Sequence, residues 1–405
     1  MPSASTPPLD PLAPENRADP YTYYRWLREN EPVRHAVDGS WILTRYADGA
    51  ALLRDPRFST NPAWLRPGAV DGAERHPVRQ VGTSLMMFLD PPDHTRLRSL
   101  VSKAFTLKVV EGMRAHVQQL VDELLDPVVE KGEMELVADL AHPLPVAVIC
   151  ELLGVPAFDR ELFRRLTSQA SRLLDGGALD PASEQMGIVA AMQLVQYFTD
   201  LVEERRPNAA EGDDLLSAMI AAEEEGDRLS HQELVTTATL LFVAGHETTS
   251  NLIGNAMLAL LRNPDELARL RDDPGLIRTA VEEFLRYDSP VQFTARITTE
   301  PVEVGGQSLP AGEQVIVVVG AANRDPAQFP DPDRLDVGRA DNRHLAFAGG
   351  PHFCLGASLA RMEAQLAINT MLRRLPGLEL VTTAPAYREH FVLRGVEELW
   401  LRFPT

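Results

Sequence analysis

The segment from Ser230 to Leu261 constrains the fold more than any other part of the chain. Ser230-His-Gln-Glu233 has the spacing of a capping box, in which serine and glutamate side chains satisfy free N–H groups at a helix start. The residues that follow stay mostly apolar until Asn263-Pro264 stops the helix. At the α-helical rise per residue it spans roughly 50 Å. An apolar helix of that length has to cross the interior, so the other elements must pack around it.

One stretch inside this helix is out of character: Ala244-Gly245-His246-Glu247-Thr248-Thr249. Glycine mid-helix costs roughly 1 kcal/mol against alanine, so Gly245 predicts the close approach of something bulky. A carboxylate on an apolar helix is expensive to bury unless it is paired or used. The plainer alternative is a solvated patch. His246-Glu247 also begins the His-Glu-x-x-His pattern of zinc proteases, but position 250 is serine, so the zinc reading fails.

The second constraint is His344–Gly356, H-L-A-F-A-G-G-P-H-F-C-L-G. Cys354 opens an apolar-periodic segment: Leu355, Leu359, Met362, Leu366, Ile368 and Leu372. The glycines, proline and histidine ahead of it put the cysteine on a shaped loop. A sulfur at a helix N-terminus meets free N–H groups and the positive dipole end, which favour the thiolate. Such a thiolate suits a nucleophile, a redox centre or a metal ligand; an inert buried cysteine is the alternative. The other cysteine, Cys150, lies in the apolar run Val146–Leu153 and reads as core. Two cysteines exclude a four-cysteine zinc site and an all-cysteine iron–sulfur cluster. A Cys150–Cys354 disulfide is formally possible, but nothing suggests an oxidising compartment.

The net charge of −19 argues against nucleic-acid binding, which needs a basic footprint. The N-terminus lacks the charged start and apolar core of a signal peptide, and no apolar run is long enough to cross a membrane. The expected location is cytoplasmic. A chain of 405 residues suggests two or three domains. With no repeat and no linker, the reading is instead a poorly ordered segment over 1–18 and one catalytic domain over 19–405.

Helices are expected from Asp19 or Pro20 to about Asn30, over Tyr46–Leu53, and through most of Asp93–Arg206. Breaks are expected at Pro127, Gly132, His142–Pro145, Pro156 and the Asp175–Asp180 loop, and a mobile lid over about 160–206. Short strands are expected at Val33–His35, Trp41–Leu43, Val302–Val304, Gln307–Leu309 and Val315–Val319. The long loop Ser59–Gly82 reads as functional.

Phe347, Gly350, His352, Cys354 and Gly356 fall at the spacing of the haem-binding loop of the cytochrome P-450 (haem-thiolate monooxygenase) family. The chain resembles a bacterial member of that family over roughly 19–403. One position departs: Ala348 stands where the family usually has glycine or another small polar residue, which would matter only if the turn required positive φ. The resemblance implies a mainly α, triangular prism-like fold with small β-sheets. It implies haem b (iron protoporphyrin IX) between the long helix and the cysteine loop, with Cys354 as the axial metal ligand and Phe347 packed on the sulfur.

The resemblance also assigns the remaining site residues. Ala244 lies against the haem, and Glu247 and Thr248 become an acid–alcohol pair that relays protons during dioxygen activation. His94, Arg98, Arg296 and His352 would hold the haem propionates, although each alone reads as a surface charge. Helical geometry allows either Glu282 or Glu283 to pair with Arg286; the resemblance picks Glu283, in a structural network with Arg334. The substrate pocket would be lined by Met86, Met87, Phe88, Leu240, Ala244, Val291, Gln292, Phe293, Phe391 and Val392, and so would suit a hydrophobic small molecule.

Arg96, Arg98, Lys103, Lys108 and Arg114 form a basic island facing only Glu111. It reads as a docking patch for an acidic partner, or as an ordinary solvated helix face; the resemblance implies that the partner is a ferredoxin, served by a ferredoxin reductase and docking near Arg96, Lys103, Lys108 and Arg114. The implied reaction is insertion of one oxygen atom of O2 into an organic substrate, by hydroxylation or epoxidation, in bacterial secondary-metabolite tailoring such as that of a polyketide or macrolide. Two rivals remain: a peroxide-using, coupling or desaturating member, and a non-catalytic haem-binding sensor.

Overall fold

The computed structural model describes residues 14–65, 85–156, 160–178, 180–212, 214–224 and 229–405. The helices are α1 (Pro14–Ala18), α2 (Pro20–Asn30), α3 (Tyr46–Leu52), α4 (Asp93–Val101), α5 (Leu107–Val129), α6 (Pro143–Leu152) and α7 (Arg160–Ser171). They continue as α8 (Pro181–Arg205), α9 (Leu215–Glu224), α10 (His231–Arg262), α11 (Pro264–Asp272), α12 (Ile277–Tyr287), α13 (Val319–Ala322) and α14 (Ala357–Arg374). No helix among the described residues is long and apolar enough to cross a membrane.

The long helix α10 begins at the capping box, with both Ser230 and Glu233 side chains engaged. Of its 32 residues, 22 are buried, which places it through the interior. Its first half packs Leu234, Ala238 and Phe242 with Val146, Ile149 and Cys150 of α6 and with Phe163 and Phe198. Its second half packs Leu252, Ala256 and Leu260 with Val121 and Leu125 of α5, Phe284 of α12, and Ile368 and Met371 of α14. Each fully buried Leu, Phe or Met stabilises by roughly 1.5–3 kcal/mol. Two cores thus share one axle, held by packing more than by helix propensity.

The larger sheet has the order β1-β2-β8-β5-β3, from β1 (Val33–His35), β2 (Trp41–Leu43), β3 (Phe58–Ser59), β5 (Phe293–Thr298) and β8 (Gln314–Val318). The β1–β2 hairpin turns at Gly39, where φ is 90°. β2 runs parallel to β8 with Ile42 opposite Ile316, and β5 runs antiparallel to β8 with Ala295 opposite Ile316. That register puts Arg296 on an interior strand. A second sheet joins β4 (Glu133–Glu135), β10 (Trp400–Arg402) and β9 (Glu379–Leu380), and β6 (Val302–Val304) pairs with β7 (Gln307–Leu309).

Several expected breaks are bridged. α5 runs through Pro127, which lies in its last turn. Few residues follow the lost N–H, while buried Leu125 and Val128 hold the turn to the core. His142–Pro145 is no gap either: a π-helical turn over Val137–Ala141 leads directly into α6, with Pro143 where a helix needs no N–H donor. The expected loop after Asp175 begins within a 3₁₀ segment, Arg172–Ala178. The N-terminal segment read as poorly ordered contains α1, and Arg17 pairs there with Glu389 at 2.7 Å. Residues 1–13 and 66–84, which include 66–82 of the long loop, lie outside the described residues.

Candidate active site

The cysteine loop is shaped by its own backbone. Cys354 N–H donates to the Phe347 carbonyl at 3.0 Å, and Ala348 N–H to the Leu345 carbonyl at 2.8 Å. Gly350 has φ 64°, and a side chain there would collide with the Leu53 carbonyl. Ala348 has φ 57°, so the turn does require positive φ. An alanine held there stores about 1–2 kcal/mol of strain.

Cys354 is accessible along one side but otherwise surrounded by protein. Burial pushes its thiol pKa up, while the Gly356 N–H and the Arg98 and Arg361 guanidiniums pull it down. The thiolate expected from helix position alone is therefore opposed by burial in the protein without ligands. Phe347 is buried beside the loop, with the Arg361 guanidinium 4.5 Å over its ring. Cys150 is a free cysteine in the core.

His94, Arg98, Arg296 and His352, drawn from three distant segments, meet next to this loop. The His94 and His352 rings lie 4.1 Å apart, and Arg98 donates to the Phe353 carbonyl at 2.5 Å. Arg296 is 6% exposed, and burial lowers its pKa to about 10. Burial, with His94, Arg296 and Arg98 nearby, lowers His352 to about 3. His94 is lowered by burial and by Arg98, and its Nδ1 is buried without a hydrogen bond. A cluster of this kind suits an anionic ligand.

On α10, Ala244 is exposed and Thr248 half-buried, one turn apart amid buried neighbours; Thr248 Oγ1 donates to the Ala244 carbonyl at 3.1 Å. Glu247 is 3% exposed; its Oε1 accepts from Arg388 at 3.2 Å, and its Oε2 has no partner. Gly245 does permit a close approach, but the bulky neighbour is Ile149 of α6. His246 is buried between Thr167 Oγ1 and the Phe242 carbonyl, both at 2.9 Å, and reads as packing.

The ion-pair network differs in one member from expectation. Glu283 and Arg286 are both fully buried and share two hydrogen bonds of 2.8 Å. The second arginine on Glu283 is Arg339, at 3.0 Å, with Asn342 also donating. Arg334 is 55% exposed and pairs with Asp331 and Asp336, giving the network only its carbonyl. Two arginines sit close together in the irregular segment, and spacing alone does not choose between them. The neighbouring Glu282 turns to Arg361 and His344; despite burial these partners hold its pKa down at about 2.

The pocket candidates divide. Met86 and Leu240 join the core around the first half of α10, together with Leu355. Met87, Phe88, Val291, Phe391 and Val392 are half-buried. Gln292 and Phe293 do not suit a lining role. The Gln292 amide donates to the Ser289 carbonyl at 2.7 Å, and Phe293 is buried against Tyr24 and stacked on Phe391 at 4.3 Å. Phe293 opens β5 and spends its side chain on the core with Tyr24, Ile42 and Val318, while Gln292 sits just before the strand.

The basic island is thinner than its sequence suggests, because Arg96 binds Glu233 and Asp93 while Arg114 binds Glu111. Lys103 and Lys108 are exposed, beside Leu107 at 70% exposure.

The sequence pattern of cytochrome P450 matches residues 73–274 and 275–389. The chain belongs to the cytochrome P450 family. It is 45% identical over 397 residues to cytochrome P450 107B1 of Saccharopolyspora erythraea, covering 95% of both chains. It is 41% identical to the 6-deoxyerythronolide B hydroxylase of the same organism, covering 95% of this chain and 96% of that one. Among solved structures it superposes with a TM-score of 0.89 on P450BioI in complex with a hexadec-9Z-enoic acid-ligated acyl carrier protein, at 39% identity, covering 96% of this chain and 99% of that one.

This P450 is a monooxygenase whose cofactor is haem b. The residues present fit that cofactor. Its two carboxylates match the Arg98 and Arg296 guanidiniums and the His94 and His352 rings, which can donate N–H bonds, the unpartnered His94 Nδ1 among them, and its iron would take a sulfur ligand of the kind the Cys354 loop displays.

Three features escaped sequence reasoning: Arg339, the Arg388 contact to Glu247, and Glu363. Glu363 is 1% exposed on α14, and burial raises its pKa to about 8, so it is mostly protonated at pH 7. Its signal was a carboxylate among the apolar positions of that helix. Ala348→Gly should relieve the turn, raising the unfolding free energy by about 1 kcal/mol and Tm by a few degrees in thermal melts. No gain would mean the strain is absorbed elsewhere.

Proposed function

We propose that Cys354 would hold the haem iron through its sulfur and that the enzyme oxidises a hydrophobic organic molecule. The observation that carries this is the meeting of the Cys354 loop with His94, Arg98, Arg296 and His352. When bound, the haem supplies two-electron activation of dioxygen and transfer of one oxygen atom to a C–H bond or double bond, the other leaving as water. The protein supplies the rest. The Arg98 and Arg296 guanidiniums, with N–H bonds from the His94 and His352 rings, would hold the cofactor's carboxylates, and the N–H groups after Cys354 would stabilise charge on the sulfur. Thr248, accessible on the inner face of α10, holds a proton at its hydroxyl. Glu247, with one oxygen on Arg388 and one free, passes protons toward it from solvent.

The half-buried Met87, Phe88, Val291, Phe391 and Val392 support an apolar substrate. A relative named for hydroxylating 6-deoxyerythronolide B favours polyketide or macrolide tailoring in the cytoplasm. Electrons would come from a ferredoxin and its reductase, with docking centred on Lys103 and Lys108. The acid–alcohol pair favours this reading over a haem sensor, which has no need of protons.

Turnover with ferredoxin, reductase and isotopically labelled O2 tests it. One labelled atom should enter the product. Lys103→Glu with Lys108→Glu should raise the ferredoxin concentration required severalfold, less so at high salt. Product oxygen drawn from water would contradict monooxygenation, and an unchanged ferredoxin requirement would remove the docking role.

A further inference from the structure

The 3₁₀ segment Arg172–Ala178, between α7 and α8, is fastened to the C-terminal part of the chain through one carboxylate. Asp175 is 6% exposed, and its Oδ1 accepts three hydrogen bonds: from His390 Nδ1 at 2.6 Å, and from the backbone N–H groups of Phe391 and Val392, both at 2.9 Å. His390 is itself buried, with its Nε2 3.4 Å from Ser171 Oγ of α7. Phe391 and Val392 are half-buried pocket candidates, so Asp175 holds the backbone that aims them.

The same segment reaches the relay acid. Arg388 lies two residues before His390, and the backbone between them is a tight turn in which His390 N–H donates to the Arg388 carbonyl at 2.9 Å. Arg388 N–H pairs with the Gly395 carbonyl at 3.0 Å, and Tyr387 bridges Val396, which makes the segment a narrow strap. The strap lies hard against α10, since a side chain on Gly395 would overlap Asn251. From it the Arg388 side chain reaches Glu247.

We propose that Asp175 is a positioning residue for the oxidation site. By clamping the 390–392 backbone it fixes the wall at Phe391 and Val392 and, through the strap, keeps Arg388 on Glu247. This rests on the relay reading of Glu247. Loosening the clamp therefore has two consequences. The strap's amides open more often, because backbone N–H groups that lose a buried acceptor lose their protection. Proton delivery also becomes less well directed, so more reducing equivalents end as hydrogen peroxide.

The experiment uses the haem-loaded enzyme and Asp175→Ala, Asp175→Asn, Arg388→Gln and Asp175→Ala/Arg388→Gln. Amide hydrogen exchange is followed in the peptide spanning residues 386–396, and peroxide is measured per NADH consumed. Asp175→Ala should speed exchange there about tenfold or more. Each single variant should raise the peroxide fraction, and the double variant should be no worse than the worse single one. If Asp175→Ala does not fold, Asp175→Asn, which keeps an acceptor oxygen but loses the charge, should show the same acceleration to a smaller degree.

Wild-type exchange in the strap would overturn the clamp, and independent, multiplying peroxide effects would overturn its link to Arg388. The carbon monoxide spectrum of each variant separates these failures from failure of the haem-site reading, because loosening the clamp leaves the Cys354 loop intact.

Discussion

Glu283→Ala should cost about 3–5 kcal/mol of folding free energy, because it strands a buried guanidinium. Arg286 is fully buried, and its remaining partners are the carbonyls of Asn323, Pro332 and Arg334. None of these carries the negative charge that offsets its desolvation. Arg339 loses the same carboxylate, and the Asp336 N–H loses its acceptor. Against a total stability of about 5–15 kcal/mol, such a loss should sharply lower the yield of folded, haem-loaded protein and the denaturant midpoint. Arg334→Ala should melt close to wild type, since that side chain faces solvent. Arg339→Ala should fall between the two. Equal effects at 334 and 339 would contradict the assignment of the network.

Thr248→Ala should leave haem content and fold intact while product formation falls on the order of 10²-fold, the low end for a positioned proton-transfer group. Among the described residues the hydroxyl hydrogen-bonds only the Ala244 carbonyl of its own helix, so no buried partner there is stranded. NADH consumption should continue, with the missing product recovered as hydrogen peroxide. A sensor or carrier would be indifferent to this change. A fall in haem occupancy without added peroxide would instead mean that Thr248 shapes the haem site and does not move protons.

What was legible in the sequence follows how local each signal is. The capping box of α10 joins residues three apart and forms as read. The cysteine loop is one continuous run and is a shaped loop as expected, but burial opposes the thiolate and Ala348 takes positive φ, neither of which the letters disclose. The propionate set was harder, since single cations usually face solvent. Here family positions identified residues that the fold draws within reach of one another. Where a choice turned on three dimensions, spacing was silent. Arg334 and Arg339 are equivalent as letters, yet one is 55% exposed and the other lies on Glu283.

Prolines misled for a related reason. Pro143 begins a helix, where its missing N–H would have had no partner, whereas Pro127 forfeits one helical hydrogen bond close to a C-terminal end that buried Leu125 and Val128 hold in place; packing decides the second case. The contacts of Asp175 with His390 and of Arg388 with Glu247 join segments more than 100 residues apart. They left no mark on the linear sequence.

The central claim is that Cys354 gives the haem iron its sulfur ligand. The most direct measurement is the absorption spectrum of the reduced, carbon monoxide-treated protein, for wild type and Cys354→Ser. A strongly red-shifted Soret band in the wild type that is lost in Cys354→Ser is the predicted result. A wild type with no haem band, or a band the substitution leaves unchanged, would contradict it.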